Sequence, residues 1–305
     1  MPLRAKIKMA IPKSQTLVYK RVDNVNIELD FFLPSSPSNV PVLLWFHGGG
    51  LLQGQRKSVA PHMLRGVEKH SYALISADYR LAPQASAAKI LTDVTDCIKY
   101  IRNHLVNEAG LKEGEVNVSK IAVSGSSAGG YLALLAGLNA QPRPDVVLAI
   151  YPITDPLGSF FTNSQPHPDG KIDKSTVAPF LNPKANVMSG NPPENPRNKM
   201  YYYMMQEAIL ADLLCVREPD VEFRIAKALT ERGIDRGVEV LPPIYVIHGD
   251  ADKFVGVEQA DEVVQVLKDM GAVVEYERLS GLDHLFDKEE KVDMDGMYAF
   301  MKKYI

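Results

Sequence analysis

Cysteine is scarce: Cys97 and Cys215 are the only thiols in 305 residues. Two thiols cannot build a disulfide framework in a chain of this length. Both sit in apolar stretches of helical periodicity and read as reduced, buried side chains. Neither has a metal-ligating neighbour, so no metal and no cofactor is expected. Charge of one sign is lacking as well. A formal net charge of −3 gives no whole-molecule attraction to nucleic acid or anionic lipid, which leaves small or neutral partners. No run of about 18 apolar residues occurs. No apolar stretch follows the basic residues Arg4, Lys6, Lys8 and Lys13, so neither a spanning helix nor a signal peptide is read. The expectation is a soluble, cytoplasmic protein with a solvated N-terminal arm over residues 1–15. Internal repeats are also missing, and a chain of 305 residues can bury a substantial core as one large α/β domain.

What is present is a rhythm of short apolar runs and amphipathic stretches. Residues 16–33 alternate apolar and polar around Asp23-Asn24, as an antiparallel hairpin does. Val42-Leu43-Leu44-Trp45-Phe46 is continuously apolar, the pattern of a strand covered on both faces. A helix is predicted over 61–69 and a strand over 72–79. Next comes an amphipathic helix over 87–106 with Ile90, Val94, Ile98, Ile101 and Leu105 on one stripe. Further strands are read at 120–124, 146–151, 244–247 and 273–279. Helices are read after Gly130, over 222–232, over 258–270 and at the C-terminus. Strands alternating with helices of this length imply crossover connections, a mainly parallel sheet and helices on both faces. Residues 153–216 break the rhythm with Pro-, Asn- and Ser-rich segments, and an insertion of that length between strands reads as a cap or lid. Its Met200-Tyr201-Tyr202-Tyr203-Met204-Met205 suits either the lining of an acyl pocket or the packing of the cap on the body.

Four loops at the carboxyl ends of strands carry chemistry, where the active groups of such sheets gather. Gly125-Ser126-Ser127-Ala128-Gly129 lies between a strand and a helix, which puts Ser127 on a strained bend facing a helix N-terminus. His47-Gly48-Gly49-Gly50 follows a buried strand, and consecutive glycines let main-chain amides approach a negative charge closely. A serine hydroxyl needs a base to attack at neutral pH, and that base needs an orienting carboxylate. His284, in a loop after the last strand, is the candidate base. Asp252, one α/β unit earlier, is favoured as the acid over Asp250; Asp283 adjoins His284 and would be poorly aimed. His248 reads as a structural residue of the acid turn. Asp78 and Arg80 read as an ion pair locking their own loop.

The order Ser127, Asp252, His284 on a parallel sheet resembles that of the α/β-hydrolases. The motifs 47–50, 78–83 and 125–130 resemble the hormone-sensitive-lipase-like branch of esterases and lipases, over roughly Val42 to His284. Two features depart from that branch. Ser126 stands where it usually has Asp, and His248-Gly249-Asp250-Ala251-Asp252 is closer to the acid motif of other α/β-hydrolases. The resemblance implies an α/β-hydrolase fold with an inserted cap. It also implies Ser127 as nucleophile, His284 as base, Asp252 as its acid, and the amides of Gly49, Gly50 and Ala128 as the oxyanion hole. The expected activity is hydrolysis of small to medium hydrophobic carboxylic esters through an acyl-enzyme. Acyltransferase, lactonase and peptidase chemistry use the same parts, and a non-catalytic ligand-binding member of the fold is the rival of a different class. A homodimer through the edge of the last strand rests on the resemblance alone.

Overall fold

The computed structural model describes residues 14–165, 170–217, 221–232 and 241–305. The arm expected over residues 1–15 therefore lies almost wholly outside the described residues. Strands β1 (Ser14–Val22) and β2 (Val25–Phe32) form the expected hairpin, and its turn residues Asp23 and Asn24 both take positive φ, 48° and 67°. Short polar side chains tolerate that conformation, and its twist matches the flanking strands. The chain continues through β3 (Val40–Phe46), α1 (Pro61–His70), β4 (Ala73–Ala77), α2 (Ala87–Asn103), α3 (Leu105–Glu108), β5 (Val116–Ser126), α4 (Ala128–Asn139) and β6 (Val146–Ile150). Between β6 and β7 lie α5 (Ser159–Thr162), α6 (Lys174–Leu181), α7 (Met200–Glu207), α8 (Leu210–Leu214) and α9 (Ile225–Arg232). Then come β7 (Ile244–Gly249), α10 (Glu258–Asp269), β8 (Val274–Leu279) and α11 (Asp295–Tyr304).

The eight strands of the described residues form one sheet in the order β1-β2-β4-β3-β5-β6-β7-β8. From β4 through β8 every neighbouring pair is parallel; β1 and β2 extend the sheet antiparallel at one edge. Strand alternation sends side chains to both faces. On β3, Val42, Leu44 and Phe46 enter one apolar cluster, while Leu43 and Trp45 enter the other. Helices α2, α4 and α10 cover the first face with Ile90, Val94, Leu135 and Val263. Helices α1 and α11 cover the second with Met63, Val67, Met297 and Met301. The predicted stripe of α2 is buried along its whole length into Leu105. Each such side chain contributes roughly 1.5–3 kcal/mol on leaving water, and their sum holds the strand ends in fixed relation.

Three expectations need correction. Cys97 is buried, but Cys215 is exposed, because it ends α8 in a left-handed conformation (φ 55°) that turns it out of the helical stripe. Asp78 and Arg80 do not pair with each other. Arg80 donates from Nε and Nη2 to the two oxygens of Asp93 on α2, each at 2.8 Å, and Asp78 pairs with Arg56. Each side chain is taken by a better-placed partner, Arg80 by the buried Asp93 of α2 and Asp78 by Arg56, so the two do not meet. The helix expected from residue 222 begins at Ile225, after Glu222 has folded back on Arg224.

The segment between β6 and β7 is tied to the body by Arg197. Its buried guanidinium donates to Leu52 O, Ala82 O and Gln84 Oε1 at 2.6, 2.7 and 2.8 Å. No helix of the described residues is long and apolar enough to cross a membrane.

Candidate active site

Ser127 caps α4 at φ 60° and ψ −121°, a conformation that L-residues rarely adopt. The bend is possible because the residues two before and two after it, Gly125 and Gly129, lack side chains. A Cβ on Gly125 would lie 2.1 Å from Gly129 C, and one on Gly129 would lie 1.9 Å from Phe46 O. Strand β5, helix α4 and the end of β3 therefore meet at backbone distance. Helix α4 follows directly, and the Ser127 side chain does not cap it. Its first amides, starting with Ala128, have no partner within the helix and carry its positive end.

The glycine loop stands opposite. Gly49 and Gly50 take φ of 107° and 66°, and Gly49 O accepts from the amides of Leu52 and Gln53 at 3.0 and 3.2 Å. His47 is its pedestal, stacked on Tyr79 at 4.2 Å with Nδ1 donating to Gly48 O at 2.8 Å. Burial pushes this imidazole down to about 4, so it is neutral at neutral pH. Tyr79 in turn donates to His47 O at 2.8 Å.

At the end of β7, Asp252 gathers four donors. Oδ1 accepts from the amides of Phe254 and Val255 at 2.8 and 2.9 Å, and Oδ2 accepts from His284 Nδ1 at 2.6 Å and His248 Nε2 at 3.2 Å. Burial opposes ionisation here, but the hydrogen bonds from His248 and His284 outweigh it and hold the carboxyl well below the usual range. The tautomer of His284 follows: Nδ1 carries the proton, because an ionised carboxylate only accepts, and Nε2 is left with its lone pair. Asp250 points elsewhere and accepts from Gly281 N at 2.6 Å. Asp283 takes the amides of Lys253 and His284.

Ser127, His284 and Gly49 line one cavity of about 240 Å³. Gly50 and Ala128 border this region without lining it. A Cβ on Gly50 would meet the Tyr201 ring at 2.7 Å, and Ala128 is buried behind Ser127. Among the described residues no side-chain hydrogen bond reaches the Ser127 hydroxyl, including from His284. Four aromatic side chains, Trp45, Tyr201, Tyr202 and Phe254, share the rest of the wall with polar residues that include Gln53 and Ser58. The Met/Tyr run of α7 thus divides its tasks: Tyr201 and Tyr202 reach the cavity, while Met200 and Met204 are buried in the core. Tyr201 also donates to Phe254 O at 2.6 Å.

Sequence reasoning did not find Asp287, three residues past His284. It is fully buried and accepts from Ser126 Oγ at 3.0 Å and from the Tyr151 hydroxyl. Tyr151 packs its ring against His284 at 4.4 Å. A carboxylate thus reaches the nucleophile turn from a distant loop, beside the serine that stands where an Asp is usual. The available signal was an acid and a lysine placed immediately after the predicted histidine loop.

A parallel sheet with a strained serine turn, a glycine loop and an acid-histidine pair at its carboxyl edge defines the fold of an α/β-hydrolase. Solved structures of that fold superpose on nearly the whole chain. A protein of unknown function from Staphylococcus aureus matches at a TM-score of 0.72 and 20% identity, covering 96% of this chain and 99% of its own. The propionate-bound esterase Est2 of Thermogutta terrifontis matches at 0.64 and 19%, covering 96% and 94%. Residues 29–210 match the BD-FAE family model, and the chain belongs to that family. Among curated relatives, the non-reducing polyketide synthase pkbA of Emericella nidulans is 26% identical over 92% of this chain. The match takes up only 13% of that much longer protein.

Proposed function

We propose that the protein is a serine carboxylesterase acting on small to medium hydrophobic esters. The observation that carries this reading is the 2.6 Å hydrogen bond between Asp252 and His284 Nδ1, with His284 and Ser127 lining one cavity. Ser127 Oγ attacks the ester carbonyl while His284 Nε2 takes its proton. Asp252 holds the ring in the required tautomer and stabilises the imidazolium. The tetrahedral oxyanion rests on the amides of Gly49, Gly50 and Ala128, and each such donor is worth about 3 kcal/mol of barrier. His284 then protonates the leaving alcohol, and water repeats the sequence on the acyl-enzyme. Residues 153–216 act as the cap, with Tyr201 and Tyr202 forming the apolar wall that selects the substrate.

Hydrolysis of p-nitrophenyl acetate by wild type, Ser127→Ala and His284→Ala tests the assignment, together with mass detection of a fluorophosphonate adduct on Ser127. The expected result is turnover and labelling in wild type and neither in Ser127→Ala; full activity in either variant refutes it. A second reading is favoured by the four aromatic rings of the cavity wall. On that reading the acyl group is itself aromatic, and esters of benzoic acids outcompete aliphatic ones. A homodimer through the open edge of β8 and a cytoplasmic location belong to the same proposal.

A further inference from the structure

Lys288 brings a cation into the wall of the cavity that Ser127 and His284 line. It sits at the end of the short 3₁₀ turn Phe286–Lys288, and its side chain lines the cavity together with Ser127 and His284. The ammonium donates to Ser58 O and lies 5.0 Å over the Trp45 ring. Those two contacts use the backbone carbonyl and the aromatic face available to it. Among the described residues Lys288 makes no ion pair. Asp287 is its sequence neighbour, but that carboxylate is turned the other way, with one oxygen on the Tyr151 hydroxyl and the other on Ser126 Oγ. His62 Nε2 approaches the second oxygen at 3.9 Å. Burial pushes the Lys288 amine down, and Asp287 opposes this only at a distance. Lys288 is half-buried, so its charge is only partly withdrawn from water, and a ligand carboxylate in the cavity would supply the contacting counter-ion it lacks through a charge-assisted hydrogen bond.

Resting on the esterase reading above, we propose that Lys288 is a specificity-determining residue whose ammonium binds a carboxylate carried by the substrate. The substrate class is then the half-ester of a dicarboxylic acid: the ester carbonyl lies at Ser127 and the free carboxylate at Lys288. The aromatic wall of Trp45, Tyr201, Tyr202 and Phe254 packs on the apolar spacer between them. Lys288 takes no part in bond making. It fixes the far end of the substrate, so its effect falls on binding and on the alignment of the carbonyl.

The test compares the methyl half-esters of succinic, glutaric and adipic acids with methyl esters of the corresponding amide acids. Each amide keeps the size and one carbonyl acceptor but carries no charge. Initial rates of alcohol release are measured for wild type, Lys288→Met and Lys288→Arg. In wild type the best half-ester is expected to exceed its amide partner about tenfold or more in kcat/KM, mainly through KM. Lys288→Met should erase that ratio and Lys288→Arg should keep most of it. Wild type alone decides the matter should Lys288→Met fail to fold. Hydrolysis of the amide esters with no preference for any half-ester overturns the role of Lys288 and leaves the esterase reading intact. No hydrolysis of any ester in the series overturns both.

Discussion

Replacing Gly129 by Ala adds one methyl group where strand, helix and glycine loop converge. An ideal Cβ there would lie 1.9 Å from Phe46 O, 2.7 Å from Phe46 C and 2.9 Å from His47 O. All three are backbone atoms, so no side chain can rotate away. Real Cβ contacts essentially never fall below 3.0 Å; helix α4 and the end of β3 must therefore part by about 1 Å. Overpacking of this kind costs roughly 1–3 kcal/mol, and for a chain of this length about 2 kcal/mol lowers Tm by roughly 3 °C. The displacement also moves Ser127 relative to the loop of Gly49 and Gly50. A misplacement of about 1 Å costs about 10²-fold in rate. The assay pairs p-nitrophenyl acetate kinetics with thermal melts followed by circular dichroism. Gly110→Ala is the control, since its φ of 65° strains an alanine but nothing lies within 4 Å of the new methyl. It should lose about 1–2 kcal/mol and keep its kcat/KM. Gly129→Ala with unchanged kcat/KM and Tm would show that the three elements do not meet as described.

Asp252→Asn should lower kcat about 10⁴-fold by releasing His284 from its tautomer, with p-nitrophenyl acetate as substrate. The same carboxyl makes folding acid-sensitive. Its folded-state pKa lies below the unfolded one, so its stabilisation is complete above about pH 4 and is lost as pH falls further. Urea midpoints measured from pH 7 to pH 3 should fall less steeply in Asp252→Asn. Arg197→Met removes three hydrogen bonds between the inserted segment and the body and leaves their acceptors buried. A loss of about 3 kcal/mol, read by urea denaturation, is expected. A maleimide should label exposed Cys215 in the native protein and reach Cys97 only after denaturation. Equal labelling of the two would contradict the packing of α2.

Periodicity made most of the sheet legible, since continuous apolar runs such as 42–46 can hardly lie anywhere but in a doubly covered strand. The four candidate loops were legible for a related reason. Glycines at 48–50, 125 and 129 mark places where backbone must approach backbone, and a serine, a histidine and an acid stand at the matching strand ends. What stayed hidden depends on direction. Sequence could not show that Arg80 turns to Asp93 and Asp78 to Arg56, because both pairings span elements that meet only after folding. Asp287 and Lys288 were silent for the same cause, and Cys215 was misread because one left-handed residue reverses a helical stripe.

The crowd of donors around Asp252 has a practical outcome. Deleting the imidazole at 284 still leaves that anion two amides and a second imidazole for company. The crippled variant should keep its shape, with an unspoilt cavity beside an idle serine. Crystals of such a protein, soaked with uncleaved esters, would let the substrate identify itself.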